Sequence, residues 1–182
     1  ANAITARLDE IAAQEGVSIG HEIFSGQNDQ TVLTQIGSQV IADGYDAIVP
    51  IGTLAAQLMV VAAQDSQTPV IFAAVSDPAY NELTGIDYLT GTSDALDTQL
   101  ILDMMLAQNP EVDSVGLLYS LSETNSATPI AQAKEYLDGK GISYTEVTAN
   151  TNDEVIAAAS SLIADGVDAV FTPTDNVIMA AE

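Results

Sequence analysis

The polar residues best suited to binding a small charged molecule lie directly after segments that read as buried β-strands. A helix should begin at Thr53, and the free N–H groups and dipole of a helix N-terminus attract a carboxylate or phosphate. Asp77, Glu123 and Asp175 offer negative acceptors suited to an ammonium group. The full candidate set is Thr53, Ser76, Asp77, Glu123, Asn125, Ser126, Asp175 and Asn176. Because helix N-termini bind anions and carboxylates bind cations, this set predicts a site for a zwitterion.

Each of these residues also has a purely structural alternative. Thr53, Asn125 and Ser126 are of the types that cap ordinary helices. Asp77 precedes Pro78 and could be a turn residue. Asp175 could cap the helix predicted after it. The pattern alone leaves both roles open at each position.

The same sequence argues against catalysis and against a bound metal or cofactor. Without cysteine there is no thiolate nucleophile, disulfide or Cys-ligated metal. The one histidine, His21, lies on a predicted strand away from these loops, so a Ser-His-Asp triad is not expected. Neither a glycine-rich dinucleotide motif, a Gly-Lys-Ser/Thr phosphate loop nor an Asp-rich calcium loop occurs. We therefore predict no catalytic residue, no metal and no cofactor.

The charge balance excludes two classes of partner. Asp and Glu number 26 against three Lys and Arg, for a formal net charge of −23. Such a surface repels nucleic acid and anionic lipid. No apolar run approaches the ~18 residues of a membrane span, so we expect no membrane insertion by this segment. The chain begins inside what reads as a helix, which is compatible with a leader having been removed.

An internal repeat predicts the architecture. The segment 41–48 returns 122 residues later (163 minus 41) as 163–170, with six of eight positions identical. Gly16 and the Asn28-Asp29 pair also find counterparts, in Gly141 and Asn152-Asp153, with small gaps in the offset. Two such units usually face each other across a ligand cleft. The alternative is coincidence, because Ala-Asp-Gly-x-Asp is a common way to end a helix before a strand.

Hydrophobic periodicity supports two α/β lobes. Helical patterns alternate with predicted strands at 17–24, 46–51, 68–75, 112–119, 142–147 and 167–171, while 77–91 reads as an irregular crossover. This alternation predicts Rossmann-like lobes with parallel sheets flanked by helices, spanning 1–88 and 89–182. The first lobe would lack its opening strand and the second its final strands, so we expect a fold truncated at both ends.

At these loops the chain resembles the substrate-binding proteins of a bacterial ABC importer family that includes aromatic amino-acid binders. The matching stretches are 52–57, 69–78, 116–119, 122–126 and 173–176. The resemblance implies a periplasmic-binding-protein type I fold, export, a lipid anchor on the missing N-terminal side and a membrane permease as partner. Thr124 departs from the pattern, where an alanine is more usual.

The resulting functional expectation is an extracytoplasmic solute-binding component for an amino acid or similar small zwitterion. The alternative is a ligand-sensing regulatory domain on the same fold, since fold alone does not fix function. A two-lobed amino-acid racemase would normally need a cysteine pair, which the chain lacks. Aromatic contacts to a ligand could come from Tyr45, Phe72, Tyr80, Tyr88 or Tyr119, which the sequence does not rank.

Overall fold

The computed structural model describes residues 1–181, which form helices and short strands. The helices are α1 Asn2–Glu15, α2 Gln30–Ala42, α3 Thr53–Ala63, α4 Thr98–Gln108, α5 Ala127–Lys140, α6 Asn152–Ala164 and α7 Asn176–Met179. The strands are β1 Val70–Val75, β2 Leu89–Ser93, β3 Ser114–Tyr119, β4 Ser143–Thr148 and β5 Ala169–Phe171. A 3₁₀ turn at Thr124–Ser126 precedes α5.

The chain divides into two compact units. Unit 1 comprises residues 1–73 and 85–91, and unit 2 comprises residues 74–84 and the chain from Thr92 onwards. Strands β1 and β2 each begin in unit 1 and end in unit 2. The division into lobes at residues 88 and 89 stays a sequence-based prediction.

Unit 2 is built on a three-stranded parallel sheet with the order β4-β3-β5. Successive side chains of β3 point to opposite faces, so Leu117 packs with α4 and α5 while Leu118 packs with α6 and α7. Gly116 allows α6 to approach closely, because a Cβ there would lie 2.8 Å from Leu162 Cδ1. This parallel sheet, covered on both faces, agrees with the predicted architecture.

The sequence repeat corresponds to a structural repeat. Helices α2 and α6 have 13 residues each, and each begins after a residue whose side chain accepts a backbone N–H, Asp29 and Thr151. Helices α1 and α5 have 14 residues each and end at left-handed glycines, Gly16 and Gly141. Asp29 therefore corresponds to Thr151 at the offset of 122 (151 minus 29), and not to Asp153 as the sequence comparison suggested.

Two predicted segments of unit 1 differ in the structure. Residues 17–24 were expected to form a strand and form none, because no strand within residues 1–181 pairs with them as β3 pairs with β4. The predicted strand at 46–51 is reduced to two parallel bridges, Ile48 to Val70 and Ile51 to Ala73. A strand is stable only when its backbone groups find partners, so apolar patterning was not sufficient here.

The predicted crossover at 77–91 is irregular only as far as Tyr88. Strand β2 begins at Leu89 and pairs with β1. Gly91 makes this approach possible, because a Cβ at that position would lie 2.3 Å from the carbonyl oxygen of Phe72. Gly91 was expected at the end of this irregular crossover, whereas it packs closely inside a sheet.

Candidate functional site

A buried carboxylate, Asp175, organises the carboxyl ends of the strands in unit 2. Its side chain is 0% exposed. Oδ1 accepts the backbone N–H groups of Val177 and Ile178 at 3.0 and 3.2 Å, and thereby caps α7. Oδ2 accepts the N–H of Ser120 and the hydroxyl of Ser126, both at 2.7 Å. One side chain thus joins the loop after β3, the start of α5 and the start of α7.

Two amide side chains extend this network on either side of Asp175. Asn125 Nδ2 donates to the carbonyl oxygen of Thr174 at 2.6 Å, and Asn176 Nδ2 donates to Glu123 Oε2 at 2.9 Å. Glu123 is buried, Asn125 is half-buried and Asn176 is exposed. The network therefore runs from a solvent-free carboxylate to polar groups at the surface.

Ser126 has a different role from the one its type suggests. It is the N-cap residue of α5, yet its side chain makes no capping hydrogen bond to that helix. Its hydroxyl points to Asp175 instead. Pro129 lies in the first turn of α5, where a proline is tolerated, as the sequence predicted.

A second polar group in unit 2 surrounds Asp77. Its Oδ1 accepts the N–H of Tyr80 at 3.0 Å and its Oδ2 accepts the hydroxyl of Thr128 at 2.8 Å. Ser76 donates to Asp94 Oδ1 at 3.3 Å. Ser76, Asp77 and Thr128 border a cavity of ≈ 270 Å³ that also reaches Gln132. A carboxylate can accept about four hydrogen bonds, so the two made by Asp77 leave acceptor positions available in this half-buried group.

Thr53 lies in unit 1 and is the first residue of α3. It is 6% exposed. The N-cap residue is Gly52, with φ 89° and ψ 160°, and it has no side chain to cap this helix. The first helical hydrogen bond runs from the N–H of Ala56 to the carbonyl oxygen of Gly52 at 3.0 Å. The N–H groups of the first turn thus have no partner within the helix, which is the arrangement that binds anions.

One of the chain's few basic side chains fixes α5 to the sheet near these loops. Lys134 Nζ lies 2.6 Å from Glu146 Oε2, which also accepts the hydroxyl of Tyr119 at 2.9 Å. The hydrogen bond from Lys134 lowers the pKa of Glu146, and the same bond raises the pKa of Lys134. Burial, followed by the bond to Glu146, raises the pKa of Tyr119. This group is a structural ion pair on unit 2.

The candidate aromatic residues differ in whether their rings and hydroxyl groups already have partners within the protein. Tyr45 packs edge-on against Phe24, Phe72 is buried in the core, Tyr88 donates to the carbonyl oxygen of Val60 and Tyr119 donates to Glu146. Tyr80 is 61% exposed and directly follows the turn at Asp77. Among the five, Tyr80 presents the most open ring next to a candidate site residue.

The predicted site residues thus fall into three groups. Glu123, Asn125, Ser126, Asp175 and Asn176 form one network, Ser76 and Asp77 form a second group in the same unit, and Thr53 stands in unit 1. Contact of these residues with a ligand stays a prediction. In residues 1–181, no group of three His, Asp or Glu side chains is placed to hold a metal ion.

Sequence reasoning missed two members of these groups. Ser120 supplies the backbone donor to Asp175, and its hydroxyl contacts Ser122 and Asn150. Thr128 donates to Asp77. Their signals were present, since Ser120 is the first residue after β3 and Thr128 lies in the first turn of α5, the two positions that parallel-sheet geometry brings to one edge. No helix among the described residues has the length and apolarity needed to cross a membrane.

Comparison with known proteins identifies relatives of this chain. A curated tyrosine-binding protein of Clostridioides difficile is 29% identical over 179 residues, which cover 96% of this chain and 51% of that protein. The crystal structure of an ABC domain from Streptococcus pneumoniae in complex with L-Trp superimposes with a TM-score of 0.81 at 30% identity, covering 95% of this chain and 60% of that one. A conserved domain protein of Vibrio cholerae gives a TM-score of 0.82 at 25% identity, with 93% and 59% covered.

The chain therefore spans about half the length of the curated relative and about three-fifths of each of the two structures. A family model described as ABC transporter substrate binding protein matches residues 2–181, nearly the whole sequence. The chain belongs to the ABC transporter substrate-binding protein family and has the α/β fold of the periplasmic-binding-protein type I class that its sequence predicts.

Proposed function

We propose that the protein containing this chain is the extracytoplasmic solute-binding component of an ABC importer and that its ligand is an amino acid. The observation that carries this proposal is the concentration of polar side chains at the strand ends of unit 2, in a chain whose relatives include a tyrosine-binding protein and a domain crystallised with L-Trp. The ligand is bound and released without chemical conversion.

Each end of a zwitterion has a chemically suited group in this chain. The uncapped N-terminus of α3 at Thr53 offers N–H donors to a carboxylate. Asp77 offers a half-buried carboxylate with acceptor positions to spare for an ammonium group. Asn125, Asn176 and Glu123 add amide and carboxylate groups at the edge of the unit 2 sheet. Ser76, Ser126 and Asp175 complete the proposed set as residues that hold the neighbouring loops in place.

Tyr80 is the proposed aromatic contact for a ligand such as tyrosine or tryptophan. Its exposed ring follows Asp77 by three residues, and its N–H is held by the Asp77 carboxylate. A ligand held by its ammonium group at Asp77 would therefore have an aromatic surface within the same turn. The permease partner and a lipid anchor outside this sequence belong to the same proposal, because an importer delivers the ligand to a membrane channel.

Thermal unfolding of the full-length protein tests this function. L-tyrosine, L-tryptophan and L-leucine are each added at increasing concentration, with the carboxylate-free amines tyramine and tryptamine as controls. A ligand that binds only the folded state adds about 2.7 kcal/mol of stability at one hundred times its dissociation constant. We expect at least one amino acid to raise the melting temperature while its matching amine does not. No shift with any amino acid would overturn the proposal.

A further inference from the structure

We propose that Asp175 is a positioning residue of the ligand site. It fixes the positions of the polar groups around it and does not itself contact the ligand's ammonium group. This inference rests on the proposed function for its effect on binding, but the role in holding the loops stands on the geometry alone. It also differs from the simplest sequence-based interpretation, in which a carboxylate after a strand pairs with a cation.

The hydrogen bonds of Asp175 leave no place for a ligand. A carboxylate has about four acceptor positions, and Asp175 fills four with two backbone N–H groups at α7, one at Ser120 and one hydroxyl at Ser126. The side chain has no exposed surface. An ammonium group would have to displace one of these donors and leave it buried without a partner, which is unfavourable.

We call the Asp175 carboxylate and the four groups that donate to it the clamp. The residues next to Asp175 and Ser126 in the sequence carry polar groups nearer the surface. Asn176 follows Asp175 directly, and Asn125 precedes Ser126 directly. Their side chains cross-link the same two loops, by Asn125 to Thr174 and by Asn176 to Glu123. Fixing Asp175 to Ser126 therefore fixes the spacing of Asn125, Asn176 and Glu123. Rigidly placed groups bind a small ligand more tightly, because less conformational entropy is lost on binding.

The short length of α7 gives a second reason for the clamp. The helix has four residues, Asn176–Met179, which is too short to be stable without tertiary contacts. Asp175 supplies its cap and joins it to β3 through Ser120, while Ile178 packs in the core beside Leu118. Without the carboxylate, α7 loses its cap and its link to Ser120, and it keeps the packing of Val177 and Ile178 and the side-chain hydrogen bonds of Asn176 and Asn152.

The test uses Asp175→Asn in the full-length protein, with Asp165→Asn as a control of equal charge change at an exposed helix end. Affinities are measured for L-tyrosine and for 3-(4-hydroxyphenyl)propanoate, which lacks the ammonium group. A positioning role weakens both ligands by the same factor, so their ratio is unchanged. A direct ammonium contact weakens only L-tyrosine, by more than about tenfold, and this outcome would overturn the proposal.

A second measurement needs no ligand and remains decisive if the proposed function fails. Amide hydrogen exchange is followed at Ser120, Val177 and Ile178 in the unliganded protein, where we expect Asp175→Asn to accelerate all three relative to Asp165→Asn. Ser126→Ala, which removes one donor to Oδ2, should accelerate Ser120 to a smaller extent and serves if Asp175→Asn does not fold. Unchanged exchange in the folded variants would overturn the clamp, whereas failure of wild type to bind any amino acid would overturn only the proposed function.

Discussion

The helices α3 and α7, which begin 123 residues apart (176 minus 53), differ in what meets the free N–H groups of their first turn. At α3 the N-cap is Gly52, which has no side chain to cap the first turn. At α7 the N-cap is Asp175, whose buried carboxylate satisfies two N–H groups of the helix. A helix N-terminus attracts negative charge, so α7 carries its own anion while α3 leaves that position for one from outside.

This difference assigns the two repeat-related positions to different tasks. The equivalent position in unit 2 is closed and holds loops together, while the position in unit 1 keeps its donors available. Sequence similarity between the halves therefore predicts equivalent placement but not equivalent function.

Replacing Asp175 by alanine should destabilise the protein strongly, whereas Thr53→Ala should not. The first change removes a cap and leaves buried donors at Ser120 and Ser126 without their acceptor, a loss of about 2 to 4 kcal/mol. Thr53 makes no capping bond, so its loss should cost about 1 kcal/mol, mainly from packing. Urea unfolding of both variants measures the contrast. Equal losses of unfolding free energy in the two variants would show that the starts of α3 and α7 do not differ in this way.

Gly52→Ala should destabilise unit 1 through the backbone alone. Gly52 adopts φ 89° and ψ 160°, a conformation that side-chain-bearing residues rarely adopt, and no atom lies within 4 Å of a Cβ built there. The expected cost is about 1 to 3 kcal/mol, with no steric part. Gly44→Ala is a matched control, since it also has positive φ and open space but ends a helix. If Gly52→Ala left the free energy of unfolding unchanged, the open start of α3 would not depend on glycine.

Asp168, at the opposite end of β5 from Asp175, should give a small pH-dependent effect. The hydroxyl of Ser114, followed by backbone N–H groups, lowers the pKa of this exposed carboxyl. Its contribution is therefore fully present above its ordinary pKa of about 3.9 and is lost as pH falls through the lower folded value. We expect Asp168→Asn to unfold at lower urea concentration than wild type at pH 6, and this difference should shrink as the pH falls below the ordinary pKa of the carboxyl. If the difference in urea midpoint between the variant and wild type grew at acid pH, the effect would have the opposite sign.

The sequence predicted those features of the fold and site that depend on local pattern. The repeat of segment 41–48 at 163–170 corresponds to the equal helices α2 and α6, and the alternation of helical and strand patterns corresponds to the parallel sheet of unit 2. The strand expected at 17–24 was wrong because strand formation needs a partner, which local pattern does not supply.

What could not be predicted at the site depends on distance along the chain. Ser120 and Ser126 lie 55 and 49 residues from Asp175, and only the folded sheet brings them to its carboxylate. The sequence could place Asp175 after a strand but not show that its acceptor positions are filled. Burial and saturation are tertiary properties, and they separate a residue that binds ligand from one that holds the binders in place.

The most direct test of the central claim is a calorimetric titration of the full-length protein with L-tyrosine or, if thermal unfolding favours another amino acid, with that one. Asp77→Asn removes the carboxylate that has acceptor positions to spare, and Asp165→Asn is the exposed control of equal charge change. We predict that wild type and Asp165→Asn bind alike and that Asp77→Asn binds more than about tenfold more weakly, because a charged partner of the ammonium group is lost. Equal affinity of all three proteins, or no binding by any of them, would contradict the account.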